Sequence, residues 1–522
     1  MPVKAIVRPS EYHDSVSLML VAQELARLPG VTDAAVVMAT EANKAILKEA
    51  GLLTPESEAA SANDLVIAVS AADGSLANAL SEAESLLQRK QVEAETTEFR
   101  PKTLRAAIKA NPSASVAVIS VAGRYAADEA WEALQQGLHV LLFSDNVSLA
   151  DEIALKRYAS QNGLLLMGPG AGTAILNGVA LGFANVIPSG PVGIISAAGT
   201  GLQEVSTLLA KKGVGITQGI GTGGRDLSKE VGGIMMLDGL KALQDDPATQ
   251  VILLVSKPPA ATVAQKVMEQ VALSDKPTVI CFLGGDIQRL TGKTEIGQAS
   301  KVQPARTLEE AATLAAGLAM SGRRQESAEP QDAQAIAPEL ASRLKPGQRY
   351  LRGLFSGGTL CYEAQVIWRD MLGESVFSNA PLDKAFQLPD STRSHRHTAV
   401  DLGEEEFTVG RLHPMIDNAL RIRLLLQEAR DPQVAVILLD VVIGYGAHPD
   451  PATELSQAIR QARQLADQTG RELVFIASVT GTEQDPQRLS HQVQPLQEAG
   501  VVVCESNAAA ARLATGIVMA WR

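Results

Sequence analysis

Two stretches of this chain share one unusual arrangement. Residues 193–204 read GIISAAGTGLQE, and residues 353–364 read GLFSGGTLCYEA. Each passes from an apolar, strand-like run through small residues into a helical pattern, with almost no side chain at the junction. Aligned on their Gly-Thr pairs, Gly199-Thr200 falls on Gly358-Thr359 and Glu204 falls on Glu363. After Thr200, the apolar positions Leu202, Val205, Leu208 and Leu209 share one helical face; after Thr359, Leu360, Ala364, Ile367 and Trp368 do the same. The likeness continues downstream. MLDGLKALQDDPATQVILLVS (236–256) parallels MIDNALRIRLLLQEARDPQVAVILLDV (415–441), the second copy being six residues longer, and KPTVICFLGG (276–285) parallels RELVFIASVTGT (471–482). A repeat of this length restricts the chain to two related domains in tandem, near 190–321 and 348–522.

Apolar runs alternate with helical patterns almost throughout, which predicts an α/β fold with parallel sheets in several domains. A hydrophobic content of 46% with only 3% aromatic residues, over 522 residues, suits sheets sandwiched between helices and exceeds what one core holds. Residues 1–98 read as a small N-terminal α/β module of the βαβ type, with a polar connector over 89–113. From 114 the strands SVAVISV, HVLLFS and GLLLMG each end in a Gly-rich or polar loop, within a domain spanning 99–189. Residues 322–347 are charged and Pro/Ala-rich and read as a linker.

The net charge of −12 leaves no basic footprint for nucleic acid. Cys281, Cys361 and Cys504 are widely spaced without a CxxC pair, so neither a disulfide framework nor a metal site is expected. The N-terminus shows no apolar signal core, and the longest apolar runs, such as VAVILL at 434–439, are strand-length. The expectation is a cytoplasmic (cytosolic) protein that does not span a membrane.

The duplicated junction carries the chemistry. Ser196, Gly199 and Thr200 in one copy, and Ser356, Gly357, Gly358 and Thr359 in the other, leave backbone N–H groups bare at a helix start, where a phosphate or acyl phosphate binds. The alternative is a plain strand-to-helix turn capped by Ser or Thr. Two such turns can face one charged group.

These motifs resemble a known family. GPVGIISAAGTGLQE, GITQGIGTGG and DDPATQVILLVS resemble the α-subunit of succinyl-CoA synthetase, and the second copy resembles the ligase domain that closes its β-subunit. DSVSLM (14–19), FSDNVSL (143–149), GTGGRDLS (221–228), SKPP (256–259), GLFSGGTL (353–360) and RLHPMID (411–417) resemble the FdrA family of acyl-CoA-synthetase-like proteins over nearly the whole chain. The resemblance implies a Rossmann-like domain binding CoA or a nucleotide, followed by two flavodoxin-like ligase domains. It also implies an acyl or carbamoyl small-molecule substrate, and Mg2+ and ATP supplied through a partner subunit. A homo-oligomer or a complex with companion subunits follows from the same likeness. By it, Gly123 and Arg124, then Ser144, Asp145 and Asn146, then Gly168 and Pro169 line the CoA or nucleotide groove; otherwise they are helix caps and turns. The sequence departs from the synthetase in lacking any histidine over 281–305, where the phosphohistidine stands, and in having Gly170-Ala171 where a polar residue and a cysteine are usual.

His413, ahead of Pro414 at a helix start, is a candidate acid, base or nucleophile, or else a capping histidine. Asp417 either orients it or faces solvent. Asp440 ends an apolar strand, where a buried carboxylate needs a partner or a function. Arg225, in a Gly-rich loop, reaches a carboxylate or phosphate. SHRH (394–397) reads as solvated loop, and His448 as a loop residue. Three functions follow: an acyl-CoA synthetase-like subunit handling an activated phosphate, a carbamoyltransferase component, or a non-catalytic CoA or nucleotide sensor.

Overall fold

Strongly apolar strands lie inside the sheets of this chain, flanked on both sides. The structure, a computed structural model, describes residues 2–9, 11, 15–72, 74–95, 101–285, 301–320, 335–408 and 411–521. It divides into two units: Met1–Pro112 together with Glu405–Leu412, and the remainder.

In the first unit, β1 (Val3–Arg8), β2 (Val31–Met38) and β3 (Leu65–Ala71) form a sheet of order β1-β3-β2. β3 runs antiparallel to both neighbours, so the expected βαβ module is a split one. The cause lies in β3, LVIAVSA, which is buried along nearly its whole length and therefore takes the middle place. The described residues of the connector expected over 89–113 are largely helical. Helix Leu76–Glu95 runs through its start, and helix Leu104–Ala110 follows, capped by Thr103, whose Oγ1 accepts the Ala106 N–H at 3.2 Å. The short helix Glu405–Thr408 belongs to this unit and buries Phe407.

Among the described residues, the second unit holds three sheets. β4 (Val116–Ile119), β5 (His139–Leu142) and β6 (Leu166–Met167) are parallel and in sequence order. The next sheet combines β7 (Thr173–Leu176), β8 (Val179–Gly182), β9 (Ser189–Ser196), β10 (Ile216–Gly221), β11 (Val251–Ser256), β12 (Thr278–Phe282) and β13 (Val302–Pro304) in the order β13-β12-β11-β9-β10-β7-β8. The last contains β14 (Tyr350–Phe355), β15 (Thr398–Asp401), β16 (Val434–Val442), β17 (Val474–Thr480) and β18 (Val502–Cys504) in the order β15-β14-β16-β17-β18. Set side by side, β10-β9-β11-β12-β13 and β15-β14-β16-β17-β18 are one order, the flavodoxin-like 2-1-3-4-5, built twice. The hairpin β7–β8 turns on Asn177-Gly178, both at positive φ as a tight two-residue turn requires, and pairs antiparallel with β10. Residues 173–182 therefore join the first repeated sheet, ahead of the boundary read at 189.

The two repeats hold each other through reciprocal helix caps. Glu204, on helix Gly199–Lys211, accepts the N–H of Asn507 at 3.0 Å, at the start of the last helix of the second repeat, Asn507–Trp521. Glu363, on helix Gly358–Leu372, accepts the N–H of Leu308 at 2.7 Å, at the start of the last helix of the first, Leu308–Ala319. The Asn507 side chain then donates to Glu363 at 2.8 Å, joining the two caps. Both carboxylates sit at helix N-termini, where the dipole favours negative charge. Burial nevertheless pushes Glu363 up to about 7. Part of the expected linker is structured: helix Ala337–Ser342 buries Leu340 and Ala341, while residues 322–334 lie outside the described residues.

Candidate functional site

Both Gly-Thr turns stand at the carboxyl ends of their strands, beside the point where strand order reverses. At the first, Ser196 closes the turn on itself: its Oγ accepts the Ala198 N–H at 3.1 Å and donates to the Ala198 carbonyl at 2.7 Å. Helix Gly199–Lys211 then begins with no side-chain cap. The N–H groups of Gly199, Thr200 and Gly201 have no acceptor among the described residues.

The second turn is built alike and filled. Asp440, fully buried in β16, accepts the N–H of Ser356 at 2.8 Å, the N–H of Gly357 at 2.8 Å and the hydroxyl of Ser356 at 3.0 Å. Arg421, also buried, pairs with the same carboxylate at 2.7 Å. Asp401 lies over the helix start: a Cβ on Gly358 would stand 2.4 Å from its Oδ2. Ser356, Gly357 and Gly358 are thus corrected from open anion ligands to donors and neighbours of internal carboxylates. Asp440 is corrected from a catalytic group to the paired plug of that turn. The strand registers explain the contrast. Beside Ser196, the first repeat has Gly221 and Val255; at the matching places the second has Asp401, beside Phe355, and Asp440, which follows Leu439, the partner of Leu354.

The two turns touch. The Thr359 N–H donates to Thr200 Oγ1 at 3.3 Å, and a Cβ on Gly357 would come within 2.9 Å of the Thr200 methyl. Thr200, with its own amide unpaired, and Asp401 therefore pack against successive residues of one loop, Gly357–Thr359.

His413 joins this place from below. Its Nε2 and Asp401 Oδ1 lie 2.9 and 3.2 Å from one point, the Cβ position of Gly403. Its Nδ1 accepts the Met415 N–H at 3.2 Å, so the proton of the neutral ring resides on Nε2. Burial lowers its pKa to about 4, and its ring packs on Phe183 with centroids 5.6 Å apart. At neutral pH His413 is a hydrogen-bond donor held in one tautomer. Asp417 does not orient it; its Oδ1 accepts the N–H of Ala419, the first residue of helix Ala419–Glu428, at 3.0 Å.

Sequence reasoning missed Asp401 and Lys257. Asp401 is 3% exposed; its Oδ1 accepts the Gly403 N–H at 3.0 Å, and Oδ2 has no hydrogen bond among the described residues. Burial raises its pKa to about 7. Lys257 follows β11, stands 5.4 Å from the Tyr362 ring centroid, and is the cation that favours the Asp401 carboxylate. The signal for Asp401 was the Asp-Leu-Gly that ends β15, obscured by the polar stretch before it. The solvated-loop reading of that stretch holds for the exposed His395 and Arg396 and is corrected at its last residue. His397 of SHRH is fully buried, accepting the Leu351 N–H at 3.2 Å through Nδ1 with Glu374 3.5 Å from Nε2.

The residues expected to line a CoA or nucleotide groove lie at the ends of β4, β5 and β6. Ser144 Oγ accepts the Val121 N–H at 2.9 Å, and the Gly170 N–H donates to the Ser144 carbonyl at 3.0 Å. Gly123 opens helix Gly123–Gln135 so close to the next loop that a Cβ would meet the Asp145 carbonyl at 2.3 Å and the Asn146 carbonyl at 2.7 Å. Arg124 is exposed, its guanidinium 4.7 Å from the Tyr125 ring centroid. Gly123 thus admits close loop packing, and the uncapped helix start beside it and the exposed Arg124 guanidinium are groups able to bind a pyrophosphate. The groove adjoins the first turn: a Cβ on Gly223, two residues beyond β10, would stand 2.7 Å from the Pro169 carbonyl, in the Gly168-Pro169 loop.

Arg225 serves this junction. It lies 2.8 Å from Glu152 and donates to the Val147 carbonyl at 2.8 Å. Lys156, fully buried, binds Glu152 at 2.9 Å, Asp226 at 2.8 Å and the Thr222 carbonyl at 2.9 Å. These ion pairs fasten the loop after β10 to the helix Leu149–Gln161. Among the described residues no cluster of metal-binding side chains occurs, and no described helix is long and apolar enough to cross a membrane.

Family models described as "CoA binding domain" and "CoA-ligase" match residues 189–284 and 354–517. The first of these ranges is the segment read from sequence as the first ligase-like domain. A model described as "AllF, heavy metal-associated domain" matches residues 1–102, a segment with no cysteine and a single histidine, His13. That composition does not fit a thiolate-bound heavy metal. The succinate–CoA ligase α-subunit 1 of Archaeoglobus fulgidus is 29% identical over 180 residues, 34% of this chain and 60% of that one. A dinucleotide-forming acetyl-coenzyme A synthetase 1 of Ca. Korarchaeum cryptofilum, solved with phosphate and ADP, aligns over 78% of this chain and 82% of its own at 16% identity, with a TM-score of 0.32. The carbamoyl alternative gains no support from these relatives. The "Uncharacterized protein YahF" of Escherichia coli (strain K12) is 45% identical over 509 residues, 97% of each chain. The chain therefore belongs to the YahF family, whose CoA-binding and CoA-ligase domains are of the succinyl-CoA synthetase kind.

Proposed function

We propose that this protein exchanges an acyl group between phosphate and the thiol of CoA, holding the phosphate of an acyl phosphate at the Gly199–Gly201 amides. The observation that carries the reading is the contrast between the two turns. Where the second repeat places Asp401 and Asp440 against its helix start, the first places Gly221 and Val255, leaving three amides bare. A duplicated turn that keeps one copy free of carboxylates has room and potential for one external anion. The groove lined by Gly123, Arg124, Ser144, Asp145 and Asn146 holds the CoA pyrophosphate. CoA supplies the thiol that attacks the acyl carbon. The amides at the first turn stabilise the phosphate as it leaves, since they are already oriented before charge develops. The Nε2–H of His413 and the ammonium of Lys257 add donors from the second side. ATP-driven formation of the acyl phosphate belongs to a companion subunit with its own nucleotide and Mg2+.

The test is Gly199→Asp. A Cβ at 199 meets only Thr173 Oγ1, at 3.4 Å, among the described residues, and an acidic residue in a first helical turn is favourable. Phosphate binding by calorimetry, and thioester formation from CoA with a panel of acyl phosphates, should both be lost while the circular dichroism spectrum stays that of the parent. Retention of phosphate affinity in this variant removes the first turn from the function.

A further inference from the structure

The second turn has a feature that anion binding at the first does not require. Asp401 is buried at the start of helix Gly358–Leu372 with one carboxyl oxygen, Oδ2, unpaired among the described residues, while Asp440, one strand away, is fully satisfied by Arg421 and two amides. A buried carboxylate without a cation in contact is costly, and an anion on the neighbouring turn increases that cost. Asp401 Oδ2 rests against Gly358, whose chain neighbours Gly357 and Thr359 both contact Thr200.

We propose that Asp401 faces the bound anion as a neutral acid, donating its Oδ2 proton to the oxyanion held by the Gly199–Gly201 amides. This rests on the anion reading of the first turn. Loading the site then takes up one proton above neutral pH, and the same proton passes to the phosphate oxygen when the acyl C–O bond breaks. Asp401 recovers it from the thiol that forms the new C–S bond, so the exchange is balanced without another acid. The groups facing Asp401 are consistent with this part. Lys257 at the end of β11 favours its ionised form; Glu404 beside it and Asp440 on β16 oppose it, the latter offset by Arg421. Cys361, on the helix above, is held as a thiol by burial, and His413 is neutral. Burial outweighs Lys257 and keeps the Asp401 proton up to about 7, so the switch lies in the working range.

Sulfate is the probe, because it does not itself titrate near neutrality. Its binding to the full chain is measured by calorimetry from about pH 6 to about pH 8.5, in buffers of different ionisation heat. The expected result is an affinity that falls about tenfold or more across this range, with close to one proton taken up per sulfate at the upper end. Asp401→Asn should bind with little pH dependence and no proton uptake, and His413→Gln should keep the parental slope. A flat parental profile, a parental slope in Asp401→Asn, or a slope abolished by His413→Gln each overturns the proposal. Should Asp401→Asn fail to fold, proton uptake by the parent is compared with that of Glu363→Gln, and uptake abolished in Glu363→Gln overturns the proposal. Absence of sulfate binding at every pH defeats the anion reading itself, whereas pH-independent binding defeats only the role of Asp401.

Discussion

Replacing Asp440 with alanine empties the second turn, and the structure sets the size of the effect. The Ser356 and Gly357 amides and the Ser356 hydroxyl lose their acceptor at 2.8, 2.8 and 3.0 Å, and Arg421 loses the partner at 2.7 Å that balances its buried charge. Removing one member of a buried ion pair costs about 3–5 kcal/mol, and each stranded buried amide adds about 1–3 kcal/mol where water does not reach it. A loss of about 4 kcal/mol or more is therefore expected, read as a lowered urea midpoint for the second unit. The vacated space has the shape of a carboxylate, and its lining becomes an anion site with a guanidinium. Formate should refill it. At one hundred times its dissociation constant for the vacated turn it restores about 2.7 kcal/mol to the variant beyond any effect on the parent, whose second turn is already filled. A loss under about 1 kcal/mol, or a midpoint indifferent to formate, would show that Asp440 does not hold this turn. The contrast between the two repeats would then vanish.

Lys156→Met leaves Glu152 and Asp226 buried beside each other without their shared ammonium; unfolding should become easier by about 3–5 kcal/mol, whereas Arg225→Met, on the exposed side of the same cluster, costs at most about 1 kcal/mol. Denaturant midpoints of the two variants check the order. Glu363 is raised to about 7 by burial, so the protonated form is favoured in the fold. Its stability contribution is complete below the ordinary carboxylate range and is lost as pH rises through about 7. Thermal midpoints of Glu363→Gln should therefore vary less with pH between about 5 and 8 than those of the parent, and equal slopes would assign the titration elsewhere.

What the sequence revealed and what it hid divide along contact distance. The repeat is local: a strand, a small-residue turn and an amphipathic helix are written in consecutive residues, and the same strand order follows twice. The fate of each turn is not local. Asp440 stands 84 residues from Ser356, and nothing near it in sequence indicates that its oxygens end on that turn. The buried His397 was concealed in the same way, since Leu351 and Glu374 come from other elements. The apolar run of β3 marked a buried strand, but apolarity does not distinguish parallel from antiparallel neighbours, and the split arrangement of the first unit was therefore invisible. Asp417 shows the opposite error: its spacing from His413 suggested partnership, while its nearest unpaired donor, the Ala419 N–H, claimed it.

Duplication by itself would yield two equal anion sites facing each other, and two phosphates in contact would repel. The structure resolves this through four strand-end positions. Gly221 and Val255 leave one helix start free, while Asp401 and Asp440 occupy the other. The filled copy remains necessary, because Thr359 donates to Thr200 and so fixes the side chain of the open one. The reciprocal caps at Glu204 and Glu363, joined through Asn507, hold the two helices in that contact from their far sides. Under the proposed function, one repeat binds while its sister supports and protonates. That division follows from where carboxylates were placed, with the backbone of the two turns otherwise alike.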